Sequence, residues 1–178
     1  MHLLTNPFAH STQKLALSAI ALLWSFAANV QAQPAENLFT IARSKNANVV
    51  RYDIQRGPDG LLNPAQPINA YWLMLAENGR REGLSWMERE LAYGFSISRV
   101  TPTGFSLRLL AFKQREIQVH HDGGSYRARV VISGKPATLN RIFVRADEGG
   151  GLLPHVRYVE LQGIADGGAP VTERIPAS

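Results

Sequence analysis

The sequence predicts an all-β fold, a single antiparallel β-barrel or β-sandwich of about eight to ten strands carrying one short α-helix. Three observations predict it. Apolar and polar residues alternate in short runs along most of the chain, as with Phe105, Leu107 and Leu109 against Ser106 and Arg108, so each such strand buries one side. Turn residues separate the runs at near-regular spacing. The period of two breaks at one place, Ser85 to Gly94, which is where the helix belongs.

The elements follow in order. Leu38 to Arg43 and Asn48 to Ile54 are runs rich in β-branched and aromatic residues, separated by the polar Ser44-Lys45-Asn46-Ala47, and read as two strands and a turn. Arg56-Gly57-Pro58-Asp59-Gly60 breaks the chain, and a loop with Pro64 and Pro67 leads into Ile68 to Ala76. Tyr71, Trp72, Leu73 and Met74 make that strand the most apolar and place it centrally. Asn78-Gly79 favours a type I′ turn at its end, because both residues tolerate positive φ.

Ser85 and Glu88 form an S-x-x-E capping box, and Met87 with Leu91 gives an apolar pair at i, i+4 before Gly94, predicting a two-turn helix over about 86–93. Strands resume at Phe95. Glu116 to His121 and Ser125 to Ile132 flank Asp122-Gly123-Gly124 as a hairpin. Ile142 and Val144 mark another strand, Val156 to Ile164 the last long one, and Val171 to Ile175 closes the pattern after Gly167, Gly168 and Pro170. Barrel and sandwich both satisfy it.

Residues 1–32 read as a secretory signal peptide and 33–178 as a single β-rich domain. Lys14 closes a leader without acids, Leu15 to Phe26 is apolar, and Val30-Gln31-Ala32 suits a signal peptidase, so the mature chain begins at Gln33. An uncleaved anchor is the alternative, but the apolar stretch is about a dozen residues against the roughly 20 that span a bilayer. No transmembrane segment is expected after cleavage, and the expected location is the periplasm or the medium.

The chain has 178 residues, 19 Lys plus Arg and 14 Asp plus Glu, and the leader removes only Lys14. The remaining charge is mildly basic, with arginines spread from Arg43 to Arg174 among the acids, which speaks against nucleic-acid binding. With no cysteine there is no disulfide, thiolate metal site or lipidated anchor.

Leu38 to Tyr52, reading LFTIARSKNANVVRY, and Leu84 to Gly94, reading LSWMERELAYG, with Tyr71-Trp72 between them, resemble the exported bacterial family known as domain of unknown function 4833. The resemblance covers nearly the whole mature chain. It implies export and a single domain and supplies no catalytic residue.

Arg43, Lys45, Asn46 and Asn48 concentrate hydrogen-bond donors at a strand connection, where β scaffolds collect function. The plainer explanation is a turn whose asparagines bond their own backbone. With Tyr71 and Trp72 as an aromatic wall, these six are the candidate ligand-binding residues, suited to an anionic or carbonyl head and an apolar body. Trp86 and Tyr93 are further candidates for a cavity lining, although aromatics at such spacing are more often core.

Glu88 is explained first by capping. His120-His121-Asp122 tempts a metal assignment, but neighbours on a strand point to opposite faces, and no metal is expected. Gly94-Phe95-Ser96-Ile97-Ser98 lacks the second glycine of a nucleophile elbow, and Gly149 to Gly151 has neither P-loop lysine nor dinucleotide setting. No cofactor is expected.

The leading expectation is therefore a non-catalytic exported domain that binds a small molecule or an envelope component. A hydrolase of envelope polymers pairing Glu88 with Asp53 is the first rival. A structural protein offering a sheet edge is the second. The sequence sets no oligomeric state.

Overall fold

The computed structural model of the chain describes residues 35–147 and 155–177. The leader and the triple-glycine loop lie outside those residues. Among the described residues, eleven strands form one sheet: β1 (Asn37–Arg43), β2 (Val49–Ile54), β3 (Ile68–Met74), β4 (Arg80–Gly83), β5 (Phe95–Thr101), β6 (Gly104–Leu109), β7 (Phe112–Asp122), β8 (Ser125–Ile132), β9 (Lys135–Asp147), β10 (His155–Ala165) and β11 (Pro170–Pro176). The order β4-β3-β2-β1-β9-β8-β7-β6-β5 makes a nine-strand path that curls into a half-barrel, and β10 with β11 branches from β9.

The length of β9 creates that branch. Its first residues pair with β8 through Thr138, and its later ones, Arg141 to Val144, pair with β1. The other edge of β9 pairs with β10 along nearly its whole length. Two wings thus leave one edge of a single strand and bend toward each other. They meet where the Tyr52 ring of β2 approaches Phe95 of β5 edge-on, at 6.0 Å between centroids. One core fills the bend, centred on Phe39, Tyr52, Ile68, Leu107, Ile117, Leu139 and Ile142.

The strand count exceeds the expected eight to ten, and the sheet is not wholly antiparallel, because β1 and β9 run parallel. β4 is the strand the alternation missed. All four of its residues are exposed, so no apolar period marks it, and Arg80, Arg81 and Glu82 instead give it the charged character of an edge. Asn78 and Gly79 do take positive φ, 55° and 76°, although a single 3₁₀ turn, Leu75–Glu77, precedes them.

The predicted helix is present, in two parts. Helix α1 (Trp86–Glu88) opens on a complete capping box, the Ser85 hydroxyl accepting from the Glu88 amide and the Glu88 carboxylate accepting from the Ser85 amide at 2.7 Å. It continues as a π-helical turn, Arg89–Tyr93. Ser85→Ala is expected to cost about 1 kcal/mol, read as a lower urea midpoint; an unchanged midpoint would show that the hydroxyl caps nothing.

Candidate functional site

Alternation along β1 places Phe39, Ile41 and Arg43 on one face of the sheet. Pairing carries that face sideways. Ile41 lies opposite Val50 of β2, and Val50 opposite Trp72 of β3. In the other direction Ile41 and Arg43 sit beside Ile142 and Val144 of β9, Val144 faces Val159 of β10, and Val159 faces Ile175 of β11. The result is a continuous apolar floor with one guanidinium at its margin.

Over this floor stand the helical segment, through Met87, Glu88, Leu91 and Tyr93, and the β6–β7 hairpin, through Leu109, Phe112 and Gln114. Together they enclose a cleft of about 630 Å³. Ile41 and Ile142 belong to the buried core, whereas Trp72, Val144, Val159 and Ile175 are only partly buried. The cleft is thus a stretch of core left uncovered.

The polar groups of the cleft are few. Glu88 Oε1 accepts from the Trp72 indole at 2.9 Å, while its Oε2 accepts from the Ser85 amide and hydroxyl. Burial alone would raise the Glu88 carboxyl, but those hydrogen bonds outweigh it and hold the group below its ordinary range. A depressed carboxyl contributes stability that is complete above the ordinary value of 4.5 and is lost as the pH falls through the lowered one. Glu88 therefore fastens the helical segment to β3 best at neutral pH.

Tyr93 packs edge-on against Trp72 at 5.2 Å, and its carbonyl accepts from the buried Tyr52 hydroxyl at 2.6 Å. Burial pushes the Tyr52 phenol far up, so it remains a donor. Burial also raises the Tyr93 phenol, with Arg43 opposing that rise and Glu88 adding to it, which places both charges near the ring.

Arg43 is half-buried, and among the described residues its guanidinium has no ion-pair or hydrogen-bond partner. The turn that follows it is well fixed. The Ser44 amide donates to the Val144 carbonyl at 3.0 Å, and the Ser44 hydroxyl donates to the Ala146 carbonyl at 2.9 Å and accepts from the Ala146 amide at 3.0 Å, so β1 is tied to β9 one residue beyond Arg43. The Asn46 amide closes the turn on the Arg43 carbonyl, and the Asn46 side-chain oxygen accepts from the Asn48 amide at 2.9 Å. That is the self-bonding asparagine of ordinary turn chemistry, on a residue that lines the cleft.

Of the six residues singled out from the sequence, the structure brings Arg43, Asn46 and Trp72 together on the cleft. Lys45 lies at the exposed tip of the turn with φ of 61°. Asn48 does not line the cleft, although its buried side-chain oxygen has no hydrogen-bond partner among the described residues. Tyr71 is on the opposite face, because adjacent strand residues diverge. There its hydroxyl makes a short hydrogen bond to Asp53, its ring lies 5.0 Å from the Arg81 guanidinium, and it borders a separate depression of about 220 Å³.

Trp86 is 74% exposed and is not part of the cleft lining. Asp53 and Glu88 do not face each other. Asp53 shares the outer face with Tyr71, and Glu88 reaches Trp72 on the inner one. His120 and His121 likewise alternate, and the His121 ring packs on Tyr126 at 5.0 Å. No cluster of three metal-ligating side chains occurs among the described residues, and none of their helices is long and apolar enough to cross a membrane.

A family model described as a domain of unknown function, DUF4833, matches residues 39–174, from Phe39 in β1 to Arg174 in β11. The chain belongs to the DUF4833 family. The matched span contains the helical segment and most of the cleft lining, and Ile175 to Ala177 of the lining lie just beyond it. No curated protein and no solved structure matches the chain.

Proposed function

We propose that this DUF4833 protein is an exported, non-catalytic binding module that holds a small molecule in the cleft between the curled sheet and the helical segment 86–93. One observation carries the reading: the apolar floor of the cleft is left partly uncovered, in a space of about 630 Å³, within the range of ligand pockets. Closed packing is the norm for protein interiors, so an uncovered apolar floor of this size calls for an occupant.

The rival readings have less support. A carboxylate pair needs two groups converging on one substrate, whereas Asp53 is saturated on the outer face and Glu88 is committed to Ser85 and Trp72. Sheet-edge docking wants an uncharged apolar edge, and the edge strands carry Arg80, Arg81 and Glu82 on β4, Arg99 on β5, and Glu173 and Arg174 on β11. Export rests on the leader alone.

The neutral dye Nile red tests the cleft. Its fluorescence should rise saturably with the protein, and Val144→Trp, which fills the floor beside Arg43, should weaken that binding about tenfold or more while the protein stays folded. Unaltered binding to the variant, or none to the parent, would overturn the reading.

A further inference from the structure

Two opposite charges line the cleft without neutralising each other. Glu88 has both carboxylate oxygens occupied by Trp72 and Ser85. Arg43 has no partner for its guanidinium among the described residues. The other partly buried arginines among the described residues, Arg51, Arg56, Arg115 and Arg129, each hold a carboxylate. An unpaired guanidinium at the margin of an apolar floor is therefore half of an interaction.

The groups around it indicate the other half. A guanidinium presents a planar fork that matches the two oxygens of a carboxylate. The Asn46 side-chain oxygen already accepts from the Asn48 amide, and its NH₂ group adds donors to a residue that lines the cleft. The Tyr93 phenol, kept protonated by burial, can add a hydroxyl donor. The guanidinium donates only and repels a cation, and the carboxamide NH₂ and the phenol can both donate beside it, so the set suits an anion better than a cation. Beyond them the floor is aliphatic, running through Ile142, Val144, Val159 and Ile175, and asks for a body of hydrocarbon. The ionised Glu88 on the same lining repels a second negative charge.

We infer that the cleft binds an amphipathic monocarboxylate, its head on Arg43 and Asn46 and its hydrocarbon body along the β9–β10–β11 floor. This rests on the cleft being a binding site, so the test separates the two. Dodecanoate, dodecanol, dodecyltrimethylammonium and dodecyl phosphate, each below its micellar concentration, compete with Nile red on the purified protein. Dodecanoate should displace the dye at about one-tenth the concentration of dodecanol or less, the factor expected of a charge-assisted hydrogen-bonded pair, and the cation should be the weakest. Dodecyl phosphate should be weaker than dodecanoate.

Arg43→Ala should bring dodecanoate to within about twofold of dodecanol, and Arg43→Lys should restore part of the difference because it keeps the charge without the fork. Equal displacement by dodecanoate and dodecanol, or a preference that survives Arg43→Ala, overturns the carboxylate head and leaves the cleft a binding site for neutral molecules. Tighter binding of the phosphate replaces the carboxylate with a phosphate head. Failure of Nile red and all four amphiphiles to bind overturns both the head-group assignment and the cleft.

Discussion

Asp53→Ala should lower the unfolding free energy by about 3 kcal/mol or more, the loss expected when one partner of a buried ion pair is removed. Asp53 is 1% exposed. Its Oδ1 accepts from the Asn37 side-chain Nδ2 at 3.0 Å and from Arg51 Nε and Nη2 at 3.1 and 3.0 Å, and its Oδ2 accepts from the Tyr71 hydroxyl. Substitution removes the acceptor of four donor atoms on β1, β2 and β3, of which Asn37 keeps the Phe39 and Tyr52 carbonyls while Arg51 and Tyr71 lose theirs. Arg51 can recover some hydration, its side chain being 23% exposed, which holds the loss toward the lower end of the range. Asp53→Asn keeps the shape and one acceptor and should cost less. Because the network lies on the outer face, Nile red binding extrapolated to zero denaturant should be unchanged. A loss under about 1 kcal/mol would put the network on a par with an exposed ion pair.

The same residues show what could be read from the chain beforehand. Strands with one wet and one buried side were legible in part: β8 alternates in burial as its sequence alternates in polarity, whereas β6 exposes only Arg108 and buries Ser106, so both of its sides are covered. The capping box was legible because its two partners are three residues apart and need nothing from the rest of the fold. β4 was not, because an exposed charged edge has no apolar period. The parallel pairing of β1 with β9 joins residues about a hundred positions apart, and no local pattern encodes it. At the site, Arg43 and Asn46 were visible as donors in a strand connection. Tyr71 was assigned to the same wall as Trp72 although alternation separates neighbours, the very argument that parted His120 from His121. Val144, Val159 and Ile175 line the cleft as ordinary strand valines and isoleucines. Only the branching of the sheet at β9 leaves them partly uncovered.

Gly94→Ala should destabilise the protein by about 3 kcal/mol and disturb the cleft with it, the scale of a forced overpacking. Gly94 joins the π-helical turn to β5, and its φ of −68° is one that any residue adopts, so backbone conformation is not the reason for glycine here. Space is. A methyl group at this position would come within 1.9 Å of the Arg89 carbonyl oxygen and 2.9 Å of Leu110 Cδ1. The leucine can turn away, but the carbonyl belongs to the helical segment itself, so the segment must move. Moving it pulls on the Tyr52 hydroxyl bonded to the Tyr93 carbonyl, on the Trp72 indole bonded to Glu88, and on the Gly94 carbonyl that accepts from the Leu110 amide. Those contacts hold the roof of the cleft above its floor. The variant should therefore show both a lower urea midpoint and weaker Nile red binding, whereas Ser85→Ala, which loosens only the first turn, should affect binding less. Full stability in Gly94→Ala would mean that the segment has room to shift, and the cleft would then have no fixed roof.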